Sequence, residues 1–177
     1  MKTGKRLIPL VLLVGFILAS CGYYNPYVYS GPDRDLYITT WHNRTNELLL
    51  DAKIYQSLVR WYQKSGAIKV TKQKEGADLI LAGEIISIDL PSLSYGVGND
   101  ATEVKIILNI RYILKDLESG KVLLEVGQEE WTEPYKVGGT STASSDNEKE
   151  ALAEIIDDLS ERIYIKTLDK LSQQATR

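Results

Sequence analysis

The sequence predicts an α+β fold, a two-layer sandwich in which two amphipathic helices pack on one face of a mainly antiparallel, mixed sheet of four strands. Two segments carry apolar residues at helical spacing, one segment alternates between two sets of side chains, and another is almost continuously apolar. Helices and a sheet that each have one apolar face bury those faces against one another. The predicted order along the chain is β-α-β-β-β-α.

The first twenty residues have the composition of a signal peptide. Lys2, Lys5 and Arg6 make the start positive, and residues 7–18 form an apolar run that is shorter than the roughly 20 residues a membrane span needs. Small residues then precede Cys21. The chain has one cysteine and one histidine, so it can build neither an internal disulfide nor a metal site from soft ligands.

The motif Leu18-Ala19-Ser20-Cys21, followed by Gly22, resembles the lipobox of bacterial lipoproteins. The resemblance implies that Cys21 becomes the mature N-terminus and carries a diacylglycerol and an N-acyl chain. Because one acyl chain holds only marginally, at about 0.8 kcal/mol per buried CH₂, three chains make a lasting anchor. Gly22 replaces the Asp of inner-membrane lipoproteins, which implies the outer membrane. The alternatives are an ordinary signal peptide or an uncleaved anchor with an incidental cysteine.

Cleavage after residue 20 leaves 157 residues with 18 Lys and Arg against 24 Asp and Glu, a formal balance of −6. This length suits one domain with its own core, which we place at residues 36–173. Residues 21–35, rich in Tyr, Pro and Gly, are predicted to be the acylated tether. An acidic domain lacks the dense basic face of a nucleic-acid-binding protein, so no nucleic-acid partner is expected.

The first predicted strand covers residues 36–41, and a polar turn at 42–47 leads from it into the first helix. Ser65 and Gly66 end that helix, and a brief extended piece follows at 67–70. The β-branched run at 79–88 is predicted to be a central strand, parallel to the first because a helix joins the two. The apolar residues of the helix recur at helical spacing: Leu50, Ile54, Leu58, Trp61 and Tyr62.

A long hairpin is predicted after a Gly- and Ser-containing loop at 91–100. Its first strand, residues 103–115, alternates between two faces, and the turn at Gly120 returns the chain through residues 122–131. Asn109 belongs to the outward set, and the set predicted to face the core is Val104, Ile106, Leu108, Ile110, Tyr112 and Leu114.

The last helix is predicted to begin at a capping box made by Ser145 and Glu148 and to reach about Leu171. Residues 132–145 before it, which contain Gly138 and Gly139, are expected to be mobile or to lie on a partner. The apolar stripe of the helix is Leu152, Ile155, Ile156, Leu159 and Ile163.

Taken together, five segments resemble the LptE family of lipopolysaccharide-assembly lipoproteins, and they span nearly the whole mature chain. They are Cys-Gly-Tyr at 21–23, Ile-Thr-Thr-Trp-His-Asn-Arg-Thr at 38–45, Ala-Asp-Leu-Ile-Leu-Ala-Gly-Glu at 77–84, Ser-Gly-Lys-Val-Leu at 119–123, and the closing helix. The resemblance implies a non-enzymatic protein at the outer membrane, facing the periplasm, that sits in the lumen of the barrel LptD. Members help that barrel to assemble and assist insertion of lipopolysaccharide into the outer leaflet.

The residues themselves also argue against an enzyme. His42 is the only histidine, and Cys21 is used by the lipid, so a Ser-His-Asp or Cys-His arrangement would depend on one strand-end residue. The adjacent pairs Glu129-Glu130 and Asp157-Asp158 point in different directions on a strand or a helix. We expect no catalytic residue, no metal and no cofactor apart from the lipid on Cys21.

Lipopolysaccharide is anionic, so its contacts on this domain should be cations. Lys105, Arg111 and Lys115 share the outward face of the predicted strand. The second candidate group clusters before the central strand and consists of Lys69, Lys72 and Lys74. For each residue the alternative is an ordinary solubilising or edge-protecting charge.

Two other functions remain open. A lipoprotein activator of a peptidoglycan synthase also begins with a strand and an Asn-Arg-Thr-like turn, but it needs a long tether to reach the cell wall. Here about a dozen residues reach only about 45 Å, which favours a domain held close to its membrane. The other alternative is a different envelope lipoprotein of similar fold.

Overall fold

The computed structural model describes residue 29 and residues 31–95 and 101–175, which form two helices and one seven-stranded mixed sheet. The predicted signal peptide and Cys21 lie outside the described residues. The elements are β1 (Arg34–Ile38), β2 (His42–Asn43), α1 (Leu50–Tyr62), β3 (Ile68–Thr71), β4 (Leu79–Asp89), β5 (Ser92–Tyr95), β6 (Ala101–Asp116), β7 (Val122–Lys136) and α2 (Ser141–Ala175).

The sheet is built around the long strand β6. On one side β6 pairs antiparallel with β4 and, beyond the end of β4, with β5; on the other side it pairs antiparallel with β7. β1 lies parallel to β4 and to β3, and β2 lies parallel to β4. The parallel pairing of β1 with β4 agrees with the prediction. Within the described residues, β3 and β7 are edge strands of the sheet, and the short strands β2 and β5 also pair with one neighbour only.

The prediction of four strands and of the order β-α-β-β-β-α was wrong, because the sheet has three further strands. β2 and β3 have two and four residues, too few to show a period, and only the β3 segment had been recognised as extended. β5 lies in the segment predicted as a loop. It forms because the first residues of β6 extend past β4 and offer a free edge.

Both helices cover the same face of the sheet and enclose one core, as predicted. All six inward residues predicted for β6 are buried, and so are the five apolar residues predicted for α1 and the five predicted for α2. Period-2 and helical spacing therefore identified the buried faces correctly.

The first predicted strand is interrupted by the packing of one tryptophan. Trp41, only 2% exposed, lies between β1 and β2. It covers Gly83 of β4, where an added Cβ would come within 2.3 Å of the indole ring. The ring also stacks on Tyr112, with 6.3 Å between centroids. The chain leaves β1 after Ile38 and resumes pairing with β4 at His42.

The segment predicted as loose, residues 132–145, is mostly regular. β7 continues to Lys136 because it stays paired with the first half of β6. α2 begins at Ser141, so the predicted capping box at Ser145 was wrong. Thr140 caps the helix instead: its Oγ1 accepts from the N–H of Ala143 at 3.2 Å, and the helix then runs 35 residues to Ala175.

Candidate functional site

The face of the sheet opposite the helices, here called the outer face, carries no helix in the part of the chain that the structure describes. It is formed by the side chains that alternate with the core residues along β4, β6 and β7. Apolar and charged residues are mixed on it. Its central members are Ile80, Ala82, Glu84, Ile107, Asn109, Arg111 and Ile113.

Glu84 is the centre of a charge cluster on this face. It forms ion pairs with Arg44 and Arg111, whose side chains are 54% and 51% exposed, while the carboxylate side chain is only 10% exposed. One covered carboxylate thus holds two half-exposed guanidinium groups, one on each of its oxygens. The cluster keeps one excess positive charge that faces solvent.

A local turn directs Arg44 toward this carboxylate. Asn43 Oδ1 accepts from the Thr45 N–H at 2.9 Å and from the Thr45 hydroxyl at 2.8 Å, and Asn43 Nδ2 donates to the Glu47 carbonyl at 2.8 Å. The Arg44 N–H donates to the Ile85 carbonyl at 3.0 Å, which ties the turn to β4. The Asn-Arg-Thr motif is therefore a self-bonded turn that positions one arginine.

The two arginines keep Glu84 ionised. Burial raises the pKa of the carboxyl, but the hydrogen bonds and charges of Arg111 and Arg44 lower it by more, so its pKa lies below the ordinary value. At neutral pH the cluster therefore exists as a carboxylate between two cations. Because Glu84 stays ionised near neutral pH, it holds both guanidinium groups in place, where they can bind an anion.

A shallow cavity of about 350 Å³ adjoins this cluster. Its walls include the side chains of Ala82 and Ile113 together with those of Glu84, Arg111 and Glu125. At this cavity β7 has a bulge at residues 127–128, opposite Arg111, which interrupts its regular pairing with β6. The cavity thus brings a guanidinium group next to apolar methyl groups.

The three candidate cations predicted on β6 lie on the outer face. Lys105 is opposite Pro134, Arg111 is opposite Glu84, and Lys115 is opposite Ile80. Along a strand that rises about 3.3 Å per residue, Lys105 is about 20 Å from Arg111, and Lys115 is about 13 Å from it. They form a line of separate contact points, and Arg111 alone belongs to a cluster.

The second predicted group lies at the other edge of the sheet. Lys69 on β3 donates to Asp33 at 2.9 Å, a hydrogen bond that raises the pKa of the lysine. Lys72 and Lys74 are exposed in the connection to β4. Thr71, at the end of β3, lies in the same row across the sheet as Lys115 of β6. The two residues are three strand spacings apart, which is about 14 Å at the usual spacing.

Sequence reasoning missed the role of Arg44 and Glu84. Both were inside motifs used for the family resemblance, but their pairing depends on β2 lying parallel to β4, with His42 opposite Glu84. A strand of two residues gives no sequence signal of its own. The structure thus adds Arg44 to the predicted cations and identifies Glu84 as its counter-charge.

The described residues contain no metal-binding group of three or more His, Cys, Asp or Glu side chains. None of their helices is long and apolar enough to span a membrane. His42, the only histidine, is exposed on β2.

Several solved structures share this fold at low sequence identity. They include lipoprotein B from Nitrosomonas europaea (TM-score 0.59, 17% identity, covering 85% of this chain and 93% of that one). Rare lipoprotein B from Shewanella oneidensis gives 0.55 and 14%, covering 81% and 99%. A protein from Xanthomonas campestris gives 0.56 and 14%, covering 84% and 92%. No curated protein was matched on sequence.

Residues 34–167 match the family LptE, described as lipopolysaccharide-assembly. The match runs from the start of β1 through most of α2, so it covers the whole sheet and the outer-face cluster. The chain therefore belongs to the LptE family of lipopolysaccharide-assembly proteins.

Proposed function

We propose that this protein is a lipid-anchored outer-membrane component that occupies the lumen of the barrel LptD, assists its assembly and helps to insert lipopolysaccharide into the outer leaflet. The family match over residues 34–167 carries this proposal. The Leu-Ala-Ser-Cys motif supports an anchor of diacylglycerol and an N-acyl chain on Cys21. In this proposal the protein works by binding and catalyses no reaction.

The outer face supports a role in handling an anionic lipid. Arg44 and Arg111 offer guanidinium groups, which suit phosphate oxygens well, and Glu84 compensates only one of their two charges. Ile113 and Ala82 line the cavity next to Arg111 and provide apolar contact for a chain attached to the phosphate-bearing sugar. A phosphorylated glycolipid has both features, whereas a free inorganic anion would use only the cations.

Lys105 and Lys115 extend the same face toward the two ends of β6. A ligand that touches all three cations must be large, because they span about 33 Å along the strand. Lipopolysaccharide carries charged groups on its lipid and on its inner sugars, so one molecule can meet more than one of them. Because each exposed charge contributes only modestly to the binding free energy, the three cations should be tested together.

The test measures binding of lipopolysaccharide to the purified, acylated chain in nonionic detergent. The variant Lys105→Gln/Arg111→Gln/Lys115→Gln should lower the affinity about tenfold, if each charge contributes about 0.5 kcal/mol. The loss should shrink in high salt, because about 0.15 M salt already screens exposed charges beyond some 8 Å.

The matched control is Lys69→Gln/Lys72→Gln/Lys74→Gln, which removes the same charge at the β3 edge. It should change the affinity much less. A larger loss in this control would move the lipid site to that edge, and equal small losses in both would show that net charge alone matters.

A further inference from the structure

β7 presents an unpaired backbone edge in the described part of the chain. Peptide groups of β6 bond alternately to the strands on its two sides. The Lys105 N–H donates to the Pro91 carbonyl on the β4–β5 side, whereas the Thr102 carbonyl accepts from the Val137 N–H on the β7 side, both at 3.0 Å. Odd-numbered β6 residues thus bond away from β7. The β7 residues opposite them turn their peptide groups outward, and these are Glu130, Thr132 and Pro134.

A groove runs between this edge and α2. One cavity of about 390 Å³ is lined by Trp131 of β7 and by α2 residues that include Ile165. A second, of about 270 Å³, follows along the strand and is lined by Glu133 and Tyr135 together with Glu154 of α2. An open strand edge with side-chain recesses beside a helix is the arrangement by which several domains accept a peptide as an added strand.

Glu133, Glu154 and Asp158 make one stretch of the groove acidic, while Arg162 and Lys166 of α2 line the cavity beside Trp131. Burial raises the pKa of Glu133, and the charges of Glu154 and Asp158 on α2 raise it further. Among the described residues, no Lys or Arg forms an ion pair with any of these three carboxylates. A cation supplied by a partner would relieve this repulsion.

The same charges argue against a second copy of this chain at the edge. An antiparallel pair of β7 strands would bring Glu133 of one copy near Glu133 of the other on the groove side, and Glu130 near its counterpart on the outer face; like charges across strands are unfavourable. Pro134 has no N–H, and the bulge at 127–128 interrupts the strand, so the free edge is limited to a short stretch. The site therefore suits a short basic strand.

We propose that the free edge of β7 at residues 130–134 accepts an extended basic segment of a partner protein as an added strand, with a Lys or Arg side chain facing Glu133, Glu154 and Asp158. Backbone hydrogen bonds to Glu130 and Thr132 give the pairing, and the carboxylates select the charge. This surface lies along the β7–α2 groove and is distinct from the cluster around Glu84.

The probe is a capped eight-residue peptide of alternating Lys and Val, compared with the same peptide carrying Glu in place of Lys. Both are titrated into the full acylated chain in nonionic detergent, and amide hydrogen exchange is followed residue by residue. The basic peptide should bind and slow exchange at Glu130 and Thr132 at least tenfold, and the acidic peptide should not. Equal effects of both peptides would overturn the proposal.

Two variants distinguish strand addition from non-specific electrostatic attraction of the peptide. Thr132→Pro removes an outward N–H without breaking the ladder to β6, and Glu133→Gln/Glu154→Gln removes the charge; each should weaken binding about tenfold. The control Glu75→Gln/Glu118→Gln removes two exposed carboxylates outside the β7–α2 groove and should leave the affinity within about twofold. Wild-type binding by both variants would refute the proposal. Self-association of the chain with protection at Thr132 would also refute it, since the occupant would then be a second copy.

Discussion

Glu84 sets the charge of the outer face. The sequence places it in an apolar strand, and a buried carboxylate without partners would be costly there. Arg44 reaches it from the Asn-Arg-Thr turn and Arg111 from the neighbouring strand, so the charge is compensated from two sides. The result is a fixed pair of guanidinium groups on the exposed side of the sheet.

This arrangement predicts how stability changes with pH. Because the folded pKa of Glu84 lies below its ordinary value of 4.5, its stabilising effect is present above that pH and is lost as the pH falls through the folded pKa. The free energy of unfolding should therefore be higher in wild type than in Glu84→Gln at pH 7, and the gap should narrow below about pH 4.5. Urea unfolding of both proteins between pH 3 and 7 measures it. A gap that stays constant or widens on acidification would contradict the assignment.

Gly83 gives a second prediction at the scale of one residue. A methyl group there would overlap the Trp41 ring, so Gly83→Ala should lower the free energy of unfolding by about 1–3 kcal/mol. Gly127→Ala is the control, because a Cβ at that position meets no atom within 4 Å; its effect should stay within about 0.5 kcal/mol or be slightly stabilising. Thermal or urea unfolding distinguishes the two. Equal effects would mean that Trp41 does not pack on β4 as described.

At the scale of elements, the sequence predicted those strands and helices whose apolar residues recur with a long and regular period. β6 alternates over more than ten residues and α1 shows a clean apolar stripe, so both were located with their buried faces. The continuation of β7 beyond Trp131 was missed, because residues 132–136 have no apolar alternation and become a strand only by pairing with β6. The start of α2 was missed for a similar reason, since residues 141–147 contain few strong helix formers.

Asn109 on β6 shows that a residue on the outward side of the sheet can still be covered. It lies on the outward side, as predicted, yet it is only 8% exposed, because neighbouring strands cover it. Its Nδ2 donates to the Ser87 hydroxyl at 3.3 Å, and its Oδ1 accepts from Gln128 at 3.1 Å. Asn109 thus belongs to a small polar network on the outer face, and alternation alone could not show that it is covered.

The two faces of β6 should respond unequally to the same substitution. Ile110→Asp buries an unpaired charge in the core and should cost several kcal/mol, whereas Asn109→Asp, which loses the hydrogen bond donated to Ser87, should cost about 1–3 kcal/mol. Thr132→Asp on exposed β7 should change stability by less than about 0.5 kcal/mol. Urea unfolding gives the order. A loss at Asn109 as large as that at Ile110 would show that the faces are misassigned.

At the scale of the whole molecule, the described residues form two layers and leave the outer face of the sheet without a covering helix. Helix–sheet packing covers most of the inner face, so the surfaces that the described residues leave for a partner are the outer face, the strand edges, the helix surface and the β7–α2 groove. The sequence predicted this layering and the cations on the free side. It could not give the Arg44–Glu84 pairing or the position of the β7 edge, because both depend on strand order.

The measurement that tests the proposed function most directly is capture of the acylated chain from detergent-solubilised outer membrane, with quantification of the proteins that accompany it. We expect the barrel LptD at about one copy per chain. The variant Cys21→Ser should be lost from the outer-membrane fraction, since it lacks the lipid anchor. Recovery of a penicillin-binding protein in place of a large barrel, or of no barrel at all, would contradict the proposed function.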